Sequence, residues 1–277
     1  MISIGDLVLG DYDADGVKWS INDFDGWEGS PASTIEFEQR ARDHGSTASE
    51  PFMTTRYMTI EGKIRAPSAS LLEAAFKKLN AAVTLAPFQM LVSESGGVLN
   101  CMAQRQGAVI PKPITDTLAT YSLLIAAKDP RKYGNLETYS TLLPFSHGGL
   151  IRPSTWPRTW TGVSTEGKIL VNNPGDTQAP VWLRIDGPVP AGGWAAAHIG
   201  KQQTLAFATS LALEPGEFVT VDMQRREVMA QGQSARAGYV TSRGWFSLDP
   251  GMNEIGFSAN SHSSTALLTL TTKPAWS

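Results

Sequence analysis

Only one stretch of this 277-residue chain carries the periodicity of a helix. Leu71, Leu72, Ala75, Phe76, Leu79 and Val83 recur on one helical face, with Lys77, Lys78 and Asn80 on the other. Ser70 and Glu73 have capping-box spacing, which predicts a helix over 71–83 entered through Ser70. Elsewhere, short apolar runs are cut by turn residues, drawn from 26 Gly and 17 Pro. A chain of that pattern buries its apolar residues by packing sheets, so the fold is predicted to be mainly β.

In the first half, residues 2–8 read as one short strand, Asp13-Ala-Asp-Gly16 as a turn and 17–21 as the return. Gly26-Trp-Glu-Gly-Ser-Pro31 is a loop by its glycines and proline. Residues 34–39 alternate, with Ile35 and Phe37 on one side and Glu36 and Glu38 on the other, and 42–50 form a long polar loop. The strand at 56–65 sets Met58, Ile60 and Ile64 on one face. Further strands are expected at 88–93, 99–105 and 120–127, the last stopped by Asp129-Pro-Arg131.

Residues 133–157 are rich in Gly, Pro, Ser and Thr, which places a domain boundary there. The expected domains are 1–137, a β domain with one helix, and 138–277, a β-sandwich. Strands are expected in the second at 168–171, 181–186, 204–208, 218–222, 227–230, 244–248, 253–258 and 266–272. Glu214-Pro-Gly-Glu217 and Asp249-Pro-Gly-Met252 have the proline and glycine of type II turns.

A net charge of −3 argues against a general nucleic-acid binder, which needs a basic face. The single cysteine, Cys101, excludes an internal disulfide and a multi-thiolate zinc site. The first residues carry no basic, apolar leader, and no apolar run is long enough to span a membrane.

Chemistry is thinly nominated. Asp11, Asp13, Asp15 and Gly16 match the first half of a calcium loop, but Asn22 stands where the closing Glu belongs, so a β-turn is the expectation. His44, His147, His198 and His262 are scattered and read as surface or loop residues. Cys101 falls in a strand and reads as an inert buried side chain. Asp222, Glu227, Asp249 and Glu254 are conceivable acid pairs without any distinguishing spacing. Trp182, Trp194 and Trp245 lie in the expected sandwich, where an indole serves either sugar stacking or the core. No catalytic residue, metal site or cofactor site emerges.

Longer phrases carry more. In the first half these are Gly26-Trp-Glu-Gly-Ser-Pro31, Tyr57-Met-Thr-Ile-Glu-Gly62, the helix and Ala127-Lys-Asp-Pro-Arg-Lys-Tyr133. The second half has Val171-Asn-Asn-Pro-Gly-Asp176, Ala179-Pro-Val-Trp-Leu-Arg-Ile-Asp-Gly-Pro188, Leu213-Glu-Pro-Gly-Glu-Phe-Val-Thr-Val-Asp222 and Arg225-Arg-Glu-Val228. Trp245-Phe-Ser-Leu-Asp-Pro-Gly-Met-Asn253, then Ile255 and Phe257, lead to Ala275-Trp276. In this order, over nearly the whole chain, they resemble the distal tail protein family of siphophages. Asn173-Pro174 departs from the simpler Asn-Gly-Asp turn expected there.

The resemblance implies an N-terminal ring-forming domain, a small β-barrel or sandwich with one helix, and a C-terminal jelly-roll, galectin-like sandwich. It implies a structural virion protein of the tail tip, assembled in the bacterial host cytoplasm. A hexameric ring would join the tail tube protein to tape-measure and tip or tail-associated proteins, with a host-surface glycan as a further partner. It implies no enzyme activity, no cofactor, no nucleic-acid specificity and no membrane insertion. The alternatives are a free carbohydrate-binding sandwich module and a polysaccharide hydrolase.

Overall fold

The computed structural model describes residues 1–148 and 162–277, with the backbone alone at 146–148 and 162–164. The later part of the 133–157 stretch and the His147 side chain lie outside the described residues. The chain divides into two compact units, Met1–Gly134 with Ser277, and Asn135–Trp276.

The first unit opens with β1 (Ile2–Ile4) and β2 (Leu7–Leu9), a hairpin in place of the single strand expected at 2–8. Gly5 reverses the chain at φ +55°, a conformation cheap only for glycine. Then come β3 (Lys18–Asp25), β4 (Ser33–Thr34), β5 (Phe37–Gln39), β6 (Ser46–Ala48), β7 (Phe52–Met53) and β8 (Arg56–Arg65). In β8, Met58, Ile60 and Ile64 are buried, as the alternation requires.

Helix α1 (Ala69–Ala82) begins two residues before its expected entry. Ser68 is the cap, its hydroxyl accepting the Leu71 N–H at 3.4 Å, so Ser70 sits inside the first turn and Glu73 is too far along to close a box. The helix buries Leu72, Ala75 and Leu79.

The unit continues through β9 (Phe88–Glu94), β10 (Gly97–Arg105), β11 (Ile110–Thr115), β12 (Leu118–Ala127) and β13 (Lys132–Tyr133). Antiparallel neighbours run β2-β1-β9-β10-β12-β8-β3. The two ends of this path meet: the Gly10 N–H donates to the Trp19 carbonyl at 2.8 Å and the Trp19 N–H to the Asp11 carbonyl at 2.9 Å. The sheet thus curls around one core, built on Ile2, Ile4, Leu9, Trp19, Ile60 and Leu79.

Strand β11 contains Pro111 and Pro113 and lies where no strand is expected. It forms at an edge, pairing β12, where a missing N–H on the outer side costs nothing.

The second unit contains β14 (Glu137–Leu142), β15 (Phe145–Gly148), β16 (Gly162–Thr165), β17 (Lys168–Asn173), β18 (Val181–Asp186), β19 (Trp194–His198) and β20 (Gln203–Phe207). It ends with β21 (Phe218–Asp222), β22 (Glu227–Ala230), β23 (Ser234–Ala235), β24 (Val240–Arg243), β25 (Gly251–Ala259), β26 (Leu267–Thr272) and β27 (Ala275–Trp276), with one 3-10 turn at Ala237–Tyr239.

A six-stranded sheet, β14-β26-β18-β21-β22-β23, and a five-stranded sheet, β17-β25-β19-β20-β24, make the sandwich. Alternate residues point inward, including Leu183, Val221 and Leu270 from one sheet and Ala196, Leu205 and Ile255 from the other. The strand expected at 244–248 is displaced to β24, and β19 forms where no strand is expected. Both Pro-Gly turns carry glycine at φ +87°, at Gly216 and Gly251.

Candidate functional site

Residues 32–54 form a β-hairpin arm. Ser33 pairs with Met53 and Thr34 with Phe52; beyond them, Phe37, Glu38 and Gln39 pair with Ala48, Thr47 and Ser46. The Arg40 N–H donates to the Gly45 carbonyl at 3.2 Å beside the tip. Each limb extends about 30 Å at strand rise.

Every residue from 32 to 53 is exposed. The alternation at 34–39 therefore marks a strand but no buried face: Phe37 is 69% exposed and Phe52 65%, with Ile35 and Met53 also open. The polar loop expected at 42–50 is partly strand, since β6 lies in it. A lone two-stranded ribbon is marginal in water, and this one leaves four large apolar side chains open to solvent.

The root of the arm is rigid. Arg56, 2% exposed, donates through Nη1 to the carbonyls of Gly26, Trp27 and Gly29 at 2.8, 3.0 and 2.7 Å. Its Nε donates to the Pro130 carbonyl at 2.8 Å. Trp27 is fully buried, stacks on Phe24 with centroids 5.8 Å apart, and donates Nε1–H to Glu94. Lys132 lies over the Trp27 ring at 5.4 Å. The loop expected at Gly26 to Pro31 is thus a knot that fixes where the arm leaves the barrel. Gly26 is required in it, because φ is +82° and a Cβ would overlap the Tyr57 carbonyl.

Next to the knot, Asp129 accepts from Arg131 Nε at 2.8 Å and Nη2 at 2.7 Å, and from the Tyr133 hydroxyl. Burial alone would raise the Asp129 pKa, but these hydrogen bonds and the Arg131 charge outweigh it and hold the carboxyl below its ordinary range.

The residues singled out for chemistry are placed as follows. Asp13 accepts the Asp15 and Val17 N–H groups at 3.0 and 2.9 Å, and Trp19 Nε1 and Lys78 Nζ at 3.2 and 3.1 Å. Its oxygens tie a turn to the helix. Among the described residues no group of three His, Cys, Asp or Glu side chains is placed to hold a metal ion. Cys101 is 1% exposed in β10, and burial pushes its thiol up to about 12.

His198 is not the surface or loop residue expected. It is 4% exposed in β19, its Nδ1 accepting the Lys201 N–H at 3.2 Å and its Nε2 lying 2.9 Å from Asn253 Oδ1. Asn253 in turn donates to the carbonyls of Asp249 and Gly251, both at 2.8 Å, and so holds the second Pro-Gly turn. Asn173, at the departure noted in the sequence, is buried and closes its own loop by donating to the Thr177 carbonyl at 2.8 Å.

The three tryptophans separate. Trp194 is 2% exposed and stacks on Phe207 at 3.9 Å, in the core. Trp245 is half-buried in the segment after β24. Trp182 lies on the outer face of the six-stranded sheet and donates Nε1–H to Asp222 at 3.0 Å. Of the four acids, Asp222 and Glu227 come together as cross-strand partners, while Asp249 pairs with Lys201 and Glu254 with Lys168, both at 2.6 Å.

Residues 176–276 match the family model described as the siphovirus-type tail component, C-terminal domain. No curated protein matches the chain in sequence. Among solved structures the chain is similar to the SPP1 Dit (gp 19.1) protein, described as a paradigm of the hub adsorption apparatus in phages that infect Gram-positive bacteria. The TM-score is 0.65 at 10% identity, over 92% of each chain. It also aligns with the phage p2 baseplate in its activated, strontium-bound conformation, at TM-score 0.44 and 11% identity over 92% of this chain and 90% of that one. The resemblance to distal tail proteins is upheld by the family match and by the fold shared with SPP1 Dit: mainly β, one helix, and a C-terminal sandwich.

Proposed function

We propose, from the siphovirus-type tail-component domain formed by residues 176–276, that this chain is a structural part of a bacteriophage tail tip. The family match is the observation that carries this reading, and the fold shared with SPP1 Dit supports it. In it the first unit closes a ring of six copies, the ring joins the tail tube to the tip proteins, and the protein acts without catalysis in the virion.

The arm supports self-association. A ring needs two different complementary patches on each copy. Free sheet edges are poor candidates: β2 and β3 meet through Gly10 and Trp19, and β11 carries Pro111 and Pro113 along its outer edge. The exposed apolar arm can serve as one patch, with the neighbouring copy's barrel as the other. Charge complementarity between the 35–38 acids and the bases of β8 falls to Lys63 and Arg65, because Arg56 is buried in the knot.

The test is native mass spectrometry at several concentrations, with and without the tube protein. A species at six times the 29.8 kDa chain mass is expected. A chain that stays monomeric or dimeric with the tube protein present would overturn the ring.

A further inference from the structure

On the outer face of the six-stranded sheet, Trp182, Arg184, Thr220, Asp222, Glu227 and Thr271 line an open cleft of about 360 Å³. We propose that this cleft binds a neutral pyranose oligosaccharide, with Trp182 as its stacking platform.

The register builds it. Trp182 lies opposite both Asp222 on β21 and Thr271 on β26, and Arg184 lies opposite Thr220. Glu227 on β22 pairs with Asp222. All project from the face opposite the core, because Leu183, Val221 and Val228 between them are buried. A half-buried indole therefore meets carboxylates and hydroxyls within one or two strand spacings.

Two of these groups are held in place before any ligand arrives. The indole is fixed by its 3.0 Å bond to Asp222, whose other oxygen accepts the Gln224 and Arg225 N–H groups, both at 2.9 Å. The Arg184 guanidinium lies 3.8 Å over the Phe218 ring and donates to Asp186 at 2.8 and 2.9 Å. A prearranged site loses less freedom on binding than one that must form.

The chemistry selects the ligand class. A pyranose has a face of C–H bonds that meets the negative face of an indole, and a rim of hydroxyls that donate to carboxylates. Glu227, exposed at the cleft edge, is the acceptor best placed for that rim. Of the residues that line the cleft, two acids, Asp222 and Glu227, stand against one base, Arg184, a net charge of −1 that disfavours anionic sugars. The volume is at the lower end for small-molecule sites and suits one or two sugar units.

This deepens the tail-tip reading by giving the chain a host-side ligand, yet the two fail separately. The full chain is titrated calorimetrically with di- to tetrasaccharides of glucose, galactose and N-acetylglucosamine, and with a uronic-acid oligomer. At least one neutral sugar is expected to bind at about millimolar Kd or tighter. Trp182→Ala should weaken it about tenfold or more, Glu227→Gln several-fold, and Trp182→Phe should retain most of it because a ring face remains. Circular dichroism checks the fold; if Trp182→Ala unfolds, Trp182→Phe and Glu227→Gln decide. No binding by any neutral sugar at about 10 mM, preference for the uronic oligomer, or indifference to the substitutions would overturn the proposal. A ring that binds no sugar sinks the cleft alone, and a monomer that binds sugar sinks the ring alone.

Discussion

Arg56 reaches from the first residue of β8 to the carbonyl of Trp27, 3.0 Å away, and both side chains are almost wholly buried. One nitrogen, Nη1, serves Gly26, Trp27 and Gly29 together. Arg56→Met should therefore leave several carbonyls short of a donor and cost about 3 kcal/mol, more than Arg56→Lys. Urea denaturation measures this; a cost under about 0.5 kcal/mol would mean the knot holds without the guanidinium.

Asp13 joins the first turn to α1 through Lys78. Burial opposes its charge, but hydrogen bonds from Lys78, Trp19 and the Val17 N–H prevail and hold its pKa below the ordinary carboxylate value. The folded pKa is depressed, so the stabilisation is fully present above the unfolded pKa of about 4 and is lost as pH falls through the folded value. Asp13→Asn should cost about 1–2 kcal/mol at pH 7, and the gap to wild type should narrow toward pH 3. Melting curves at both pH values check this; an undiminished gap at low pH would refute the ion-pair account.

Gly216 and Gly251 take φ +87° with open space where a Cβ would stand, so only backbone strain opposes a side chain there. Gly251→Val should cost about 1–3 kcal/mol, and Gly216→Asn less, because Asn tolerates the left-handed region. Gly62 is the contrasting case: its Cβ would overlap the Ser20 carbonyl, so Gly62→Ala should destabilise by collision. Thermal melts of the three variants rank the two mechanisms.

Phe37 and Phe52 contribute little to the isolated chain, being 69% and 65% exposed. Replacing both with Ser should leave the melting temperature nearly unchanged while weakening self-association. Sedimentation velocity reads the second effect; unaltered oligomers would remove the arm from the interface.

The second unit is proposed to fold alone. A fragment of residues 135–277 should be soluble with a helix-free circular dichroism spectrum. One starting at Leu142 should be less stable, since it removes most of β14, whose Glu137 to Leu142 pair with β26. Aggregation of the longer fragment would place the boundary elsewhere.

Features that one segment's own covalent pattern controls are legible in the residues alone. Alternation in 56–65 places Met58, Ile60 and Ile64 on one face, a 3.6-residue period makes the only α-helix among the described residues, and Pro-Gly pairs set two turns. These depend on side-chain direction and allowed φ, which neighbours in sequence dictate.

Which faces are covered is settled only when segments meet. Ile35 and Phe37 alternate as well as Met58 and Ile60 do, yet the arm has no layer beside it and both stay exposed. His198 is buried, and Asn253, 55 residues away in sequence but on the neighbouring strand β25, supplies its hydrogen bond. Pro111 and Pro113 sit in a strand because that strand lies at an edge. Trp182 and Trp194 share a residue type and a predicted sandwich, but one faces outward beside Asp222 and the other stacks on Phe207. Burial is a property of pairs of segments brought together by the chain's path, and no local period encodes which pairs will meet.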